Sequence, residues 1–256
     1  CMAYGRSHFS LALLPPLVAL HVWKECVPMS VCLHRYFSHK GFKCSRATQF
    51  GVYLLGCLAS QGPPLWWASK HRRHHAHCDT DLDPHSPVTR SKLYAWLGWV
   101  YLPGAEGAFG IGTDVEYVRD HLQFPELAFM ENFCWLPVWA LHGALYAYGG
   151  FPYFAFVSLL SGVLCQLVTL YFNVAFHDNE GAEGSCKATD KPDDRLSNIY
   201  GEAFHAWHHE HPRAHRRPGL DLPYWIFIKP GLILGILSGE NLDYSVSKSG
   251  KSSKLQ

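Results

Sequence analysis

The residues best equipped for chemistry in this chain are its histidines, 17 among 256 residues. Three clusters hold eight of them: HRYFSH supplies His34 and His39, HRRHH supplies His71, His74 and His75, and HAWHH supplies His205, His208 and His209. In each HxxHH the first residue and the last two fall at i, i+3 and i+4, one face of a helix, where several imidazoles can reach a common centre. His34 and His39 are five apart, roughly 140° around an ideal α-helix. One of them must therefore sit where the helix ends or unwinds. His177 in NVAFH adds a further ring, four residues after Asn173 and on the same helical face. Imidazole is the commonest metal ligand, and eight or nine of them suit two borderline transition metals. A structural zinc needs only about four ligands, and magnesium and calcium prefer oxygen. A single HRRHH reads equally well as a basic, solvated helix face; three clusters together do not. Soluble carboxylate-bridged bundles use two Glu-x-x-His pairs on facing helices. Here there is one, Glu202 with His205, so a histidine-dominated centre is expected.

Something must hold these rings. From Asn132 to His177 there are 46 residues without Lys, Arg, Asp or Glu, enough for two bilayer-spanning helices with a tight turn at Gly149-Gly150. Residues 9–33 form a weaker third span, interrupted by Pro15-Pro16 and by Lys24-Glu25, and residues 48–68, cut by Gly62-Pro63-Pro64, fit an interfacial segment. Residues 222–237 are short, aromatic and interrupted by Lys229-Pro230, again an interfacial pattern. Basic residues (Lys40, Arg46, Lys70, Arg72, Arg73, Arg217 and others) flank the histidine clusters, whereas the Tyr148 to Tyr153 turn carries no charge. The positive-inside tendency therefore puts the clusters on the cytosolic side. Net charge is +1, which gives no electrostatic ground for a nucleic-acid partner. The nine cysteines show no CxxC pair and read as dispersed, reduced thiols. The chain opens Cys1-Met2-Ala3, from which an incomplete N-terminus is expected, and it closes in a polar tail. The expected division is a membrane domain over 1–238 and a tail over 239–256.

HRYFSHKGF (34–42), HRRHHAHCDTDLDPHSP (71–87), NVAFH (173–177) and GEAFHAWHHEHP (201–212) together resemble the membrane fatty acyl desaturases of the acyl-CoA delta-9 type, over roughly residues 10–238. The order and spacing HxxxxH, HxxHH, HxxHH are highly specific to that family, and the third box opens with His205 where front-end desaturases have Gln. The resemblance implies an all-α integral membrane bundle of four spanning helices, the first truncated here, under a helical cytosolic cap that holds a di-iron centre. It implies metal ligands at His34, His39, His71, His74, His75, His177, His205, His208 and His209, with Asn173 reaching a metal through water. It implies an acyl tunnel bending at Gln61, Trp67 and Thr169, O2 as co-substrate, and a cis double bond as product. No catalytic side chain is expected beyond the metal ligands. Where animal members carry an Arg-Asp pair that meets CoA, this chain has Ser69-Lys70, so acyl-CoA and acyl-lipid substrates both stand. The endoplasmic reticulum or a plastid is the expected membrane.

Removing hydrogen from an unactivated methylene is beyond any side-chain acid or base, which itself calls for a metal-activated oxidant. No heme-binding HPGG, flavin or GxGxxG motif is present, so electrons are expected from a separate partner, cytochrome b5 or ferredoxin. Neutral ligand histidines need acceptors for their other N–H; Asp79, Asp81, Asp83 and Glu202 stand close in sequence. Lipid hydroxylases and ketolases use similar boxes and are the alternative. A metal transporter would line its spans with polar residues, and here the histidines cluster outside them.

Overall fold

The computed structural model describes residues 10–105, 112–177 and 185–239. His8 and the polar tail from residue 240 onward lie outside the described residues. Helix α1 (Leu14–Lys24) places Pro15 and Pro16 in its first turn, where a missing N–H costs nothing, so the proline pair starts this helix rather than interrupting it. It runs directly into a wide-turned π-helical stretch, Glu25–Ser38, that accommodates Pro28. Helix α2 (Arg46–Cys57) starts at Ser45, whose hydroxyl accepts the Thr48 N–H at 3.1 Å. Helix α3 (Pro64–His77) carries the second cluster. Residues 48–68 thus form the ends of two helices, broken at Gly62-Pro63.

Short helices α4 (Val115–Leu122) and α5 (Pro125–Met130) precede the long apolar pair, α6 (Trp135–Pro152) and α7 (Leu160–Ala175), the latter entered through a wide-turned stretch Tyr153–Leu159. The expected hairpin is present. Gly150 takes φ +67°, open to glycine at little steric cost, and the chain reverses there. His142 meets Ser158 and Tyr146 meets Phe154, so the two arms run antiparallel. Trp135, Trp139, Tyr146 and Val163 point outward, a belt of exposed apolar surface suited to lipid. Among the described residues, Trp135–Ala175 is the one stretch both long and apolar enough to cross a bilayer. The first rod falls short because it buries charged residues, Lys24 and Glu25 among them.

Helices α8 (Arg195–Tyr200), α9 (His205–Glu210), which carries the third cluster, and α10 (Lys229–Ile233) follow; with the end of α3 and helices α4 and α5 they form the part outside the first rod and the hairpin, termed the cap. The fold is mostly helical, as expected; one pair of two-residue strands, Lys43–Cys44 antiparallel to Leu237–Ser238, closes the segment after α10 onto the end of the first rod. Two hydrophobic clusters pack either side of the wide-turned stretch, one around Phe37, Tyr53 and Ile228, the other around Leu33, Trp66 and Trp99. The cysteines differ from the expected set of dispersed, reduced thiols. Cys78 and Cys186 are joined in a disulfide across 108 residues, while Cys26, Cys32, Cys44, Cys57, Cys134 and Cys165 are free thiols.

Candidate metal centre

The first cluster owes its geometry to the wide winding of Glu25–Ser38. There the His39 N–H bonds to the His34 carbonyl at 3.2 Å, an i to i+5 bond, so side chains five apart stack on one face. His34 and His39 end up with ring centroids 5.0 Å apart. Their helix both unwinds and ends at His39. Helix α3 is anchored by Glu131, whose carboxylate accepts the Leu65 and Trp66 N–H groups at 3.0 and 3.1 Å and the Tyr53 hydroxyl at 2.7 Å. That cap fixes the rotation of the helix carrying His71, His74 and His75.

The nine rings converge as two groups, His34, His39, His71, His75 and His208 in one, and His74, His177, His205 and His209 in the other, with donor atoms within each group no more than 4.8 Å apart. Each HxxHH cluster is therefore split between groups. His71 and His75 face one and His74 the other; His208 faces one and His205 and His209 the other. His75 and His209 stack at 4.1 Å and form the shared wall.

Protonation follows from the surroundings. Burial, reinforced by the neighbouring rings and Arg217, pulls His39 and His208 well below the ordinary imidazole range, and burial with the adjacent imidazoles does the same for His71, His75, His205 and His209. His34 is drawn down to about 4 by burial and then by Arg217. These rings are neutral at pH 7, the form that ligates metal. Their outer nitrogens meet acids: His74 Nδ1 lies 2.8 Å from Asp83, His177 Nδ1 2.9 Å from Asp79, and His34 Nδ1 3.3 Å from Glu202. Burial alone would raise all three carboxyls. His74 and His85 outweigh it at Asp83, His177 at Asp79, and Arg217 with His34 at Glu202, which is held at about 2. Ionised carboxylates only accept, so Nδ1 of His177 and His34 carries the proton and Nε2 presents a lone pair, while His74 donates its Nδ1–H to Asp83. Asp81, a sequence candidate for the same role, is exposed instead.

Inward-facing nitrogens are then close. His39 and His71 Nε2 are 2.9 Å apart, His34 and His208 3.0 Å, His75 and His208 3.1 Å, His177 and His205 3.1 Å, and His205 and His209 3.2 Å. Each such pair either shares a proton or has a cation between its lone pairs. Bonds of about 2.1 Å from a metal to imidazole nitrogens at right angles put those nitrogens roughly 3 Å apart, so the donor set fits two nitrogen-ligated metal ions.

Asn173 lines a cavity of about 50 Å³ together with His34, His71, His205, Trp67 and Thr169. Gln61 lies apart from these, in a crevice shared with Trp66, Trp67 and Trp99, its amide 3.9 Å from the Cys165 sulfur. Sequence reasoning missed Arg217 and Arg35. Arg217 is buried, ion-paired with Glu202, and its guanidinium lies 3.2 Å from His208 Nδ1. Arg35 makes a bidentate pair with buried Asp221 at 2.7 and 3.0 Å and donates to the His215 carbonyl at 2.9 Å, binding the first cluster to the segment that follows the third. Their positions beside histidine boxes were visible in the sequence, but not their burial. Of the remaining histidines, His142 bonds Ser158 at 2.7 Å, His77 bonds the Tyr117 hydroxyl at 3.0 Å, and His121 meets the Phe37 carbonyl at 3.0 Å.

A desaturase family model, described as fatty acid desaturase, matches residues 10–225. The chain belongs to this family, and it is accordingly an oxidoreductase. Among similar proteins, the sn-2 palmitoyl-lipid 9-desaturase of Nostoc sp. (strain 36) is 31% identical over 236 residues, 85% of this chain and 78% of that protein. The sn-1 stearoyl-lipid 9-desaturase of Anabaena variabilis is 27% identical over 217 residues, 81% of this chain and 75% of that protein. A hex-5-enoyl-acyl-carrier-protein acetylenase of Moorena producens (strain JHB) is 34% identical over 135 residues, 48% of this chain and 37% of that protein.

Proposed function

We propose that this chain is a membrane di-iron acyl desaturase that inserts a cis double bond at the delta-9 position of a saturated acyl chain. The observation that carries this is the convergence of nine buried or half-buried imidazoles in groups of five and four beside a cavity of about 50 Å³. The ligands are His34, His39, His71, His75 and His208 for one iron and His74, His177, His205 and His209 for the other, with Asn173 reaching a metal through water. When bound, the two irons supply the oxidation of an unactivated C–H by O2: a –CH2–CH2– unit, O2, two electrons and two protons become –CH=CH– and two waters. The protein's own part is positioning. Trp67 and Thr169, with Gln61 behind Trp67, hold the chain's bend next to the imidazoles, and the buried walls exclude bulk water. Asp79, Asp83 and Glu202 keep the ligand rings in the metal-binding tautomer.

An acyl-lipid substrate is favoured over acyl-CoA. At the positions where a CoA-binding pair is expected, Ser69 donates to the Trp66 carbonyl at 2.8 Å and Lys70 is ion-paired with Asp114 at 2.7 Å, both buried. Neither is available to a phosphate, and the Nostoc and Anabaena relatives bear acyl-lipid names. The histidine face lies on the cytosolic side of an endoplasmic reticulum or plastid membrane, and cytochrome b5 or ferredoxin supplies the electrons. The chain purified in lipid and loaded with iron tests this. Two irons per chain and a monoene formed from lipid-linked but not CoA-linked octadecanoyl, given O2 and a reduced donor, support it. A hydroxylated acyl product would instead make the chain a hydroxylase.

A further inference from the structure

Glu25 is out of keeping with the helix that carries it. It sits nine residues before His34, on the order of 10 Å along the rod toward the apolar hairpin. Its side chain is buried, at 3% exposure. Oε2 accepts the Thr169 hydroxyl at 3.4 Å and the Cys165 thiol, a weak donor, faces the carboxyl, while Oε1 has no hydrogen bond of ordinary geometry among the described residues. The neighbouring Lys24 does not neutralise it, because its ammonium donates to the Ser158 carbonyl at 3.3 Å on another face of the helix. Glu25 lines the same cavity as His34, His71 and His205, together with Thr169 and Tyr200.

A carboxyl oxygen buried without a partner costs several kcal/mol, more so where no water reaches it. An all-alkyl chain in this cavity would leave that cost standing. A chain bearing a hydroxyl would remove it. A hydroxyl both donates and accepts, so it complements a carboxylate, a neutral carboxyl and the Thr169 hydroxyl alike. We propose that Glu25, with Thr169 and Tyr200, forms a polar subsite for a hydroxyl substituent on the acyl chain, and that hydroxylated acyl lipids are preferred substrates. This rests on the desaturase reading, which makes the cavity the acyl site.

The test reads binding and not turnover. The full chain in lipid nanodiscs is titrated with octadecanoic acid and a positional series of monohydroxyoctadecanoic acids, each displacing a fluorescent fatty acid. One positional isomer should bind about tenfold tighter than octadecanoic acid, the equivalent of one additional buried hydrogen bond. Glu25→Leu should erase that preference while still binding octadecanoic acid, and Glu25→Gln, which keeps a hydrogen-bonding amide, should retain most of it. If no isomer outbinds octadecanoic acid in the wild-type chain, or if the preference survives Glu25→Leu, the subsite is wrong. The wild-type series decides the matter even if the leucine variant fails to fold. A chain that prefers a hydroxylated acid yet forms no double bond loses the desaturase reading alone; one that desaturates octadecanoyl without discrimination loses the subsite alone.

Discussion

An imidazole ligates through one nitrogen only if the other has somewhere to put its proton. In this centre Asp79 serves His177, Asp83 serves His74 and Glu202 serves His34. Such acceptors typically contribute 10–100-fold to metal affinity. Asp79→Asn keeps the side chain's size, and Asn tolerates the positive φ of 58° at that position, but it removes the negative charge facing His177. Chelator titration of the metal-loaded protein should show two release phases, and Asp79→Asn should weaken one of them by about tenfold. Glu202→Gln should weaken the other. If either substitution shifts both phases equally, the division of ligands between the groups is mistaken. Much at this scale was legible. The eight clustered histidines stood out by spacing, His177 by its place four residues after Asn173, and the acids by their nearness in sequence; periodicity groups rings within a cluster but not the meeting of clusters far apart in the chain. Arg217 and Arg35 were not legible, because nothing in a run of basic residues says which are buried; that depends on Glu202 and Asp221 arriving from elsewhere to pair with them.

At the level of elements, the first rod shows where periodicity misleads. An α-helical reading separates His34 from His39, whereas i to i+5 bonding brings them onto one face. The spacing signalled an irregularity but could not distinguish unwinding from termination, and both occur. Proline gave a similar ambiguity: Pro15-Pro16 is a break inside a helix and a favourable start at its first turn, and only the observed boundary decides. The closure of α8 onto this rod depends on glycine. Gly201 has φ +71°, and a Cβ there would meet Arg35 Nη2 at 2.5 Å and Asp221 Oδ1 at 2.7 Å. Gly201→Ala should therefore strain the backbone and pry apart a buried charge pair, at a cost of about 3 kcal/mol. A lowered thermal unfolding midpoint, with metal lost at the same temperature, is the expected reading. An unchanged midpoint would mean that the Arg35–Asp221 pair contributes little to holding the cap.

On the scale of the whole molecule, the apolar hairpin was fully legible, since 46 uncharged residues around Gly149-Gly150 leave few alternatives. The rest of the membrane part was less so. Lys24 and Glu25 lower the hydropathy of the first rod, yet both are buried in the fold, so a hydropathy window penalises residues that never face lipid. The Cys78–Cys186 link was illegible because its partners are 108 residues apart and share no motif. It ties the end of α3 to the segment after His177, next to the group of four imidazoles, and so joins the cap to the end of the apolar hairpin. Sequence order hides this convergence: imidazoles from four distant stretches meet in one place, and the proposed chemistry needs the hairpin, the first rod and the cap assembled together. The direct measurement is therefore the product made by the assembled protein. The chain is expressed in a yeast lacking its own delta-9 desaturase, beside a His208→Ala/His209→Ala control, and the cellular fatty acids are analysed by gas chromatography with double-bond mapping. We expect a new monoene unsaturated at the delta-9 position and absent from the control. Membrane-bound protein that carries two irons yet yields no such monoene, or yields only a hydroxylated acid, would contradict the assignment.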